Sequence, residues 1–61
     1  MTGAQVRRIR KRLGLSQTGF ARLLRVTSIT ISRWERDEVR VTEPMALLIE
    51  LAAEKARREN K

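Results

Sequence analysis

The chain has 61 residues, contains neither Cys nor His, and carries a formal net charge of +7. This length allows one domain, so we treat residues 1–61 as a single unit. Without Cys there is no disulfide or thiolate metal site, and without His the commonest metal ligand and general base are missing. The composition therefore predicts a protein without a metal or other cofactor. It also offers no nucleophile–base or general acid–base set, so we do not expect an enzyme.

The positive charge is concentrated in the first half of the chain. Residues 1–34 contain eight basic side chains and no acidic one, whereas from Glu35 onward there are six basic and seven acidic side chains. A one-sided basic field suits a polyanion such as a nucleic acid. The alternative is a solvated basic surface, but the basic half also has apolar periodicity, so we expect it to be folded.

Long apolar segments are missing from the sequence. No run approaches the length of a membrane span, and there is no signal-peptide core. We therefore expect a soluble, cytoplasmic protein with no membrane partner. Because the length leaves no room for a sensor domain, we also expect no small-molecule effector.

Capping residues and apolar spacing divide the chain into four helical segments. The first is predicted over 3–13, because Thr2 and Gln5 match a capping box and Gly14 supplies a stop. The second is predicted over 17–25, with Ser16 as its N-cap. The apolar positions of these two segments are Val6, Ile9, Leu13, Phe20, Leu23 and Leu24.

The third and fourth segments are predicted over 28–36, after the N-cap Thr27, and over about 43–58. In the third, Ile31 and Trp34 should face inward. In the fourth, one apolar stripe is expected in the core, and Leu47 and Leu51 form a second, offset stripe that calls for a partner. The core stripe comprises Met45, Leu48, Ile49 and Ala52. The fold class is therefore all-α, a compact bundle of four or five short helices.

Two short helices joined by a tight turn, over about 16–36, are what a helix-turn-helix requires. In that motif the first helix crosses the phosphate backbone and the second enters the major groove. The first helix needs a small residue where the helices approach, and Ala21 is small. The turn needs a compact inward apolar residue such as Val26, and the second helix needs the apolar anchors Ile31 and Trp34.

Three stretches of the sequence, 10–17, 21–26 and 31–35, resemble the phage repressor and Cro-like (XRE-type) helix-turn-helix family. They read RKRLGLSQ, ARLLRV and ISRWE. The resemblance covers roughly residues 6–51 and implies a lambda-repressor-like fold and binding of double-stranded DNA. It also implies an origin in a bacterium or a phage.

The resemblance implies that four residues face the DNA bases, namely Ser28, Ile29, Ser32 and Arg33. The chemistry of these side chains agrees, because Arg33 can bind guanine bidentately and Ile29 can pack on a thymine methyl group. Two alternatives stay open at this point. Arg33 could contact a phosphate instead, and Ile29 could pack partly in the core.

The resemblance also implies an internal ion pair between Arg10 and Glu35, and contacts to the DNA backbone. Gln17 would donate to a phosphate and brace the recognition helix, and Thr27 would cap that helix and touch the backbone. The basic candidates for phosphate contacts are Arg7, Arg8, Lys11, Arg22, Arg25, Arg36 and Arg40. We expect part of this basic set to be merely solvated.

Three positions depart from the pattern of the family. Arg25 stands where the turn usually has Gly, so the left-handed conformation expected there is uncommon for this residue. Gly19 replaces a capping-box Glu, and Arg36 and Asp37 replace a Gly after the third helix, although Asp tolerates turns. Together these departures predict a less stable monomer, which favours a partner.

Two functional hypotheses follow from this reading. The first is a transcriptional repressor that dimerises through Leu47 and Leu51 and places two recognition helices about 34 Å apart on a pseudo-palindromic operator. The second is an antitoxin-type regulator that also binds a protein toxin, with the charged C-terminal end as the only candidate surface.

Overall fold

Four α-helices make up the fold. The computed structural model describes residues 1–59, and within that range there is no strand. The helices are α1 (Gly3–Arg12), α2 (Gln17–Leu24), α3 (Ser28–Glu35) and α4 (Glu43–Glu59). The all-α prediction is confirmed with four helices, although α4, at 17 residues, is not short. All four helices begin at the predicted residue, and each ends one residue away from the predicted end. Residues 60–61 of the predicted domain lie outside the described residues.

The first three helices begin at hydroxyl N-caps. The side chains of Thr2, Ser16 and Thr27 each accept a hydrogen bond from the backbone N–H three residues later, at 3.2, 3.0 and 3.2 Å. In α1 the box is completed because the backbone N–H of Thr2 donates to the Gln5 side chain at 2.7 Å. The capping predictions are confirmed, and each such cap typically contributes about 1 kcal/mol to stability.

The same three helices end in the same way. Gly14, Arg25 and Asp37 adopt left-handed backbone conformations, with φ of 72°, 63° and 58°. In each case the N–H of the following residue bonds to the carbonyl five positions earlier, which is the Schellman arrangement. Glycine adopts this conformation without strain, but for Arg25 it costs roughly 1 kcal/mol. The expected strain in the turn between α2 and α3 is therefore present.

The core draws its side chains from all four helices and from the loop before α4. Ile31 and Trp34 are buried, as predicted, but the placement of Leu48 in the core was wrong, since it is 49% exposed. Leu23, one of the apolar positions of the second segment, is likewise 52% exposed. Each lies about 100° around its helix from a neighbouring residue that is buried. The buried set is Val6, Phe20, Ala21, Leu24, Ile31, Trp34, Val41 and Ile49.

The start of α1 lies against the end of α3. The Gly3 N–H donates to the Asp37 carboxylate at 2.8 Å. A Cβ added at Gly3 would lie 2.5 Å from the Trp34 carbonyl oxygen and 2.6 Å from that of Glu35. Glycine is therefore the residue that allows this approach of two helix ends. Gly19 is different, because a Cβ there would meet nothing closer than 3.4 Å.

We predict that Gly3→Ala lowers the free energy of unfolding by about 1–3 kcal/mol, because backbone atoms have to move to admit the methyl group. The same substitution at Gly19 is the matched control. It should raise the free energy of unfolding by up to about 1 kcal/mol, through helix propensity alone. Urea denaturation followed by circular dichroism measures both. Equal effects at the two positions would contradict the close approach of α1 to α3.

Candidate nucleic-acid interface

One face of α3 packs in the core, and this packing determines which face of the helix is left exposed. Ile31 and Trp34 are buried at 0% and 4% exposure, and α3 packs against both α1 and α2. Only residues 25–27 separate α2 from α3, so the two helices form a compact pair. This is the geometry of a helix-turn-helix, in which the second helix keeps one face free for the major groove.

The four residues assigned to base contacts lie on the part of α3 that faces away from the core. Ser28, Ile29 and Arg33 are exposed, and Ser32 is half-buried. Ile29 is 61% exposed, so the alternative that it packs in the core does not hold in this structure. The face thus combines two hydroxyls, one aliphatic side chain and one guanidinium. Whether these groups contact bases stays a prediction.

A charged cluster fixes the far end of α3. Arg10 and Glu35 form a bidentate pair, with Nε–Oε2 at 2.6 Å and Nη2–Oε1 at 3.1 Å. Arg10 also donates to the Leu15 carbonyl at 3.0 Å, and the Gln17 amide donates to Glu35 at 3.3 Å. The two charged side chains are only 13% and 8% exposed. The cluster thus links the last turn of α1, the start of α2 and the end of α3.

Electrostatics keep both members of this pair ionised. Burial raises the pKa of the Glu35 carboxyl, but hydrogen bonds from Arg10 and Gln17 and the charges of Arg10 and Arg7 outweigh it, so the pKa lies below its ordinary value. The hydrogen bond to Glu35 raises the pKa of Arg10 despite its partial burial. The pair therefore remains charged across the neutral range.

The basic side chains of α1 divide between two flanks. Arg7 and Lys11 line a concavity together with Glu35 and Asp37, at the end of α3. Arg12 instead lines the groove between α1 and α4, a shallow, open depression of about 750 Å³. Arg8 lines both depressions. Of the candidates for phosphate contacts on α1, Arg7 and Lys11 are thus those placed only beside the recognition helix.

The remaining candidates for backbone contacts differ in whether their side chains already bind another residue of the protein. Arg36 pairs with Glu38 at 3.0 Å in an exposed position. Thr27 caps α3 and its hydroxyl lies 2.9 Å from that of Thr30. The last three of these candidates are exposed, and within residues 1–59 none of the three has a carboxylate at ion-pair distance. They are Arg22, Arg25 and Arg40.

A separate apolar surface lies on α4. Leu47 and Leu51, the predicted contact residues, are 56% and 51% exposed. Leu48 adds to this surface, which sequence reasoning missed because it placed Leu48 in the core. The apolar spacing of α4 gave no signal against that placement, because Leu48 and the fully buried Ile49 are adjacent members of the same predicted stripe.

The described chain has neither a metal site nor a membrane-spanning helix. Residues 1–59 contain no group of acidic side chains that could hold a metal ion. None of the helices in that range combines the length and the apolar character needed to cross a membrane.

The fold and the exposed face of α3 define a DNA-binding helix-turn-helix protein. A family model described as helix-turn-helix matches residues 6–59, which is most of the chain. The chain therefore belongs to this family, the Cro- and repressor-like (XRE-type) group of DNA-binding transcription regulators. No curated protein and no solved structure shows detectable similarity to it.

Acid should reveal the contribution of Glu35 to stability. Because folding lowers the pKa of Glu35, its contribution is fully present above its unfolded-state value and is lost as the pH falls through the lower folded-state value. We predict that the free energy of unfolding of the Glu35→Gln variant is smaller at neutral pH and falls less steeply in acid. Urea titrations from about pH 7 to pH 2 measure this. Glu50→Gln, a change at an exposed acid, is the control and should leave the fall of the free energy of unfolding in acid unchanged. Parallel curves of the free energy of unfolding against pH for wild type and Glu35→Gln would refute the role of Glu35.

Glu38 should compete with a DNA phosphate for Arg36, because its carboxylate already pairs with the Arg36 guanidinium. We predict that Glu38→Gln raises the affinity for duplex DNA and steepens the slope of log K against log salt by up to about 0.9. Glu59→Gln is the matched control, since it makes the same charge change at an exposed acid that pairs with Lys55. Fluorescence anisotropy at several salt concentrations measures both. Equal slopes for the two variants would show that Arg36 contacts no phosphate.

Proposed function

We propose that this protein is a sequence-specific transcriptional repressor that binds a pseudo-palindromic operator as a homodimer. The observation that carries the proposal is the free outer face of α3, which is held from behind by the buried side chains of Ile31 and Trp34. A helix presented in this way can enter the major groove and bring its side chains to base edges.

Around this face, the polar and basic residues are proposed to set the register on the DNA backbone. Phosphate contacts of this kind fix orientation and supply most of the non-specific affinity. Gln17 and Thr27 stand at the starts of α2 and α3, where backbone N–H groups also point outward. The basic members of the set are Arg7, Lys11, Arg22, Arg25, Arg36 and Arg40.

Dimerisation is proposed to use the exposed leucines of α4. Leu47, Leu48 and Leu51 are each about half exposed, and they share one side of the helix away from buried Ile49. A two-fold contact through this face buries apolar surface that a small domain otherwise leaves in water. Two recognition helices about 34 Å apart would then read two half-sites on one face of the duplex.

Repression follows from occupancy, because a dimer bound across a promoter excludes other proteins from the same DNA. No feature of residues 1–59 favours the toxin-binding alternative. A binding selection from random duplex DNA at about 150 mM salt tests the proposal, since non-specific phosphate binding is weakened there. Enrichment of a two-fold symmetric motif supports it, and binding that only fades with salt, without any enriched motif, refutes it.

The dimer contact has its own test. We predict that Leu47→Glu lowers dimerisation, because two-fold symmetry places a charge from each subunit in the same apolar contact. Helicity should be retained, since the residue is exposed. Leu23→Glu, at a 52% exposed leucine on α2, is the control and should leave the oligomeric state unchanged. Sedimentation equilibrium measures both variants, and a Leu47→Glu protein that is still dimeric would place the interface elsewhere.

A further inference from the structure

We infer that each operator half-site contains one required thymine and one required guanine, about two base pairs apart, read by Ile29 and Arg33. The inference rests on the proposed function, because it requires that α3 enters the major groove. It goes further by naming the base pairs that the groove must present.

Most of α3 is already committed inside the protein. Ile31 and Trp34 are buried, and Glu35 is held by Arg10 and Gln17. The Thr30 hydroxyl lies 2.9 Å from that of Thr27. Four side chains are left for the DNA, and none of them is an amide or a carboxylate. They are Ser28, Ile29, Ser32 and Arg33.

This short inventory limits what α3 can read. A bidentate contact to adenine needs Asn or Gln, and acceptance from the cytosine amino group needs Asp or Glu. The two serines donate or accept as needed, so they tolerate several bases. Only Ile29 and Arg33 have a strong preference, the first for the thymine methyl group and the second for O6 and N7 of guanine.

Arg33, and not Arg36, is the guanidinium placed to read a base. Arg33 lies within α3, is exposed, and has no carboxylate at ion-pair distance in residues 1–59. Arg36 lies at the C-cap, beyond the last helical residue, and pairs with Glu38. A free guanidinium on the outer face of the helix keeps both parallel N–H donors for one guanine.

Ile29 is exposed without a partner inside the protein. Its side chain is 61% exposed, more than that of any other large apolar residue in the described chain. It is the second residue of α3, in the part of a recognition helix that lies nearest the bases. An aliphatic side chain there makes no hydrogen bond, so it discriminates through contact with the C5-methyl group of thymine.

The spacing follows from helix geometry. Ile29 and Arg33 are four residues apart, so they lie on the same face of α3 and are separated by about 6 Å along its axis. Successive base pairs are stacked about 3.4 Å apart. A helix lying along the groove therefore brings the two side chains to base pairs about two steps apart.

Base analogues test each contact one atom group at a time. The duplex is the operator obtained by selection, with deoxyuridine in place of the required thymine or 7-deazaguanine in place of the required guanine. Deoxyuridine removes only the methyl group, and 7-deazaguanine removes only the N7 acceptor. We expect deoxyuridine to weaken binding of the wild-type protein several-fold and 7-deazaguanine to weaken it about tenfold.

Two variants assign the contacts to their side chains. With Ile29→Ala the loss caused by deoxyuridine should disappear while the loss caused by 7-deazaguanine remains. With Arg33→Ala the reverse should hold. Both positions are exposed, so both variants should fold, and circular dichroism checks this. Anisotropy titrations at one salt concentration measure all nine combinations of the three proteins with the unmodified duplex and the two analogue duplexes.

The possible results separate this inference from the proposed function. A symmetric motif that lacks the thymine and guanine pair, or in which they lie more than three base pairs apart, overturns the inference and leaves the repressor proposal standing. So do analogue effects that are the same in the wild-type protein and both variants. The absence of any enriched motif overturns both.

Discussion

The contact between Arg10 and Glu35 is the interaction on which the rest of the structure depends. A single guanidinium from α1 holds the last residue of α3 and the carbonyl of Leu15, and Gln17 joins from the first residue of α2. Three helices that share only a small core are thereby fixed at one point. Losing one charged partner from such a partly buried pair typically costs about 3–5 kcal/mol, because the other charge is left without compensation. In a domain of this size that is a large share of the total stability.

This arrangement also explains how α3 is free to act on its outer side. The helix is held at its start by the Thr27 cap and at its end by Glu35, while Asp37 just beyond it ties down the first residue of α1. The contacts that stabilise the fold are thus made by the ends and the inner face of α3. The side chains of Ile29 and Arg33 make no such stabilising contact, so substitutions there should cost little in folding. Under the proposed function, specificity and stability would be carried by different residues of the same eight-residue helix.

Local features of the fold were predictable from the sequence, and contacts between distant segments were not. The caps at Thr2, Ser16 and Thr27 depend on residues three positions away, so a short window contains the whole signal. The close approach at Gly3 depends on carbonyl groups more than thirty residues later, which no local pattern records. The exposure of Leu48 was missed because its helix is apolar on two sides, and only packing against α1 decides which side is buried. At the candidate site, the family resemblance indicated the set of residues proposed to face the bases, but the pairing of Arg36 with Glu38 became visible only in the three-dimensional structure.

The absence of acidic residues before Glu35 affects folding as well as binding. Glu35, the acid that directly follows the basic half, is paired inside the protein with Arg10. Asp37 lies beside Arg7 and Lys11, so the eight cations of residues 1–34 are only partly compensated and repel one another. Added salt screens this repulsion and therefore stabilises the folded domain, whereas it weakens association with a polyanion. The two equilibria thus respond to ionic strength with opposite signs. Duplex DNA itself acts as the missing counter-charge, so the folded domain is most stable when it is bound.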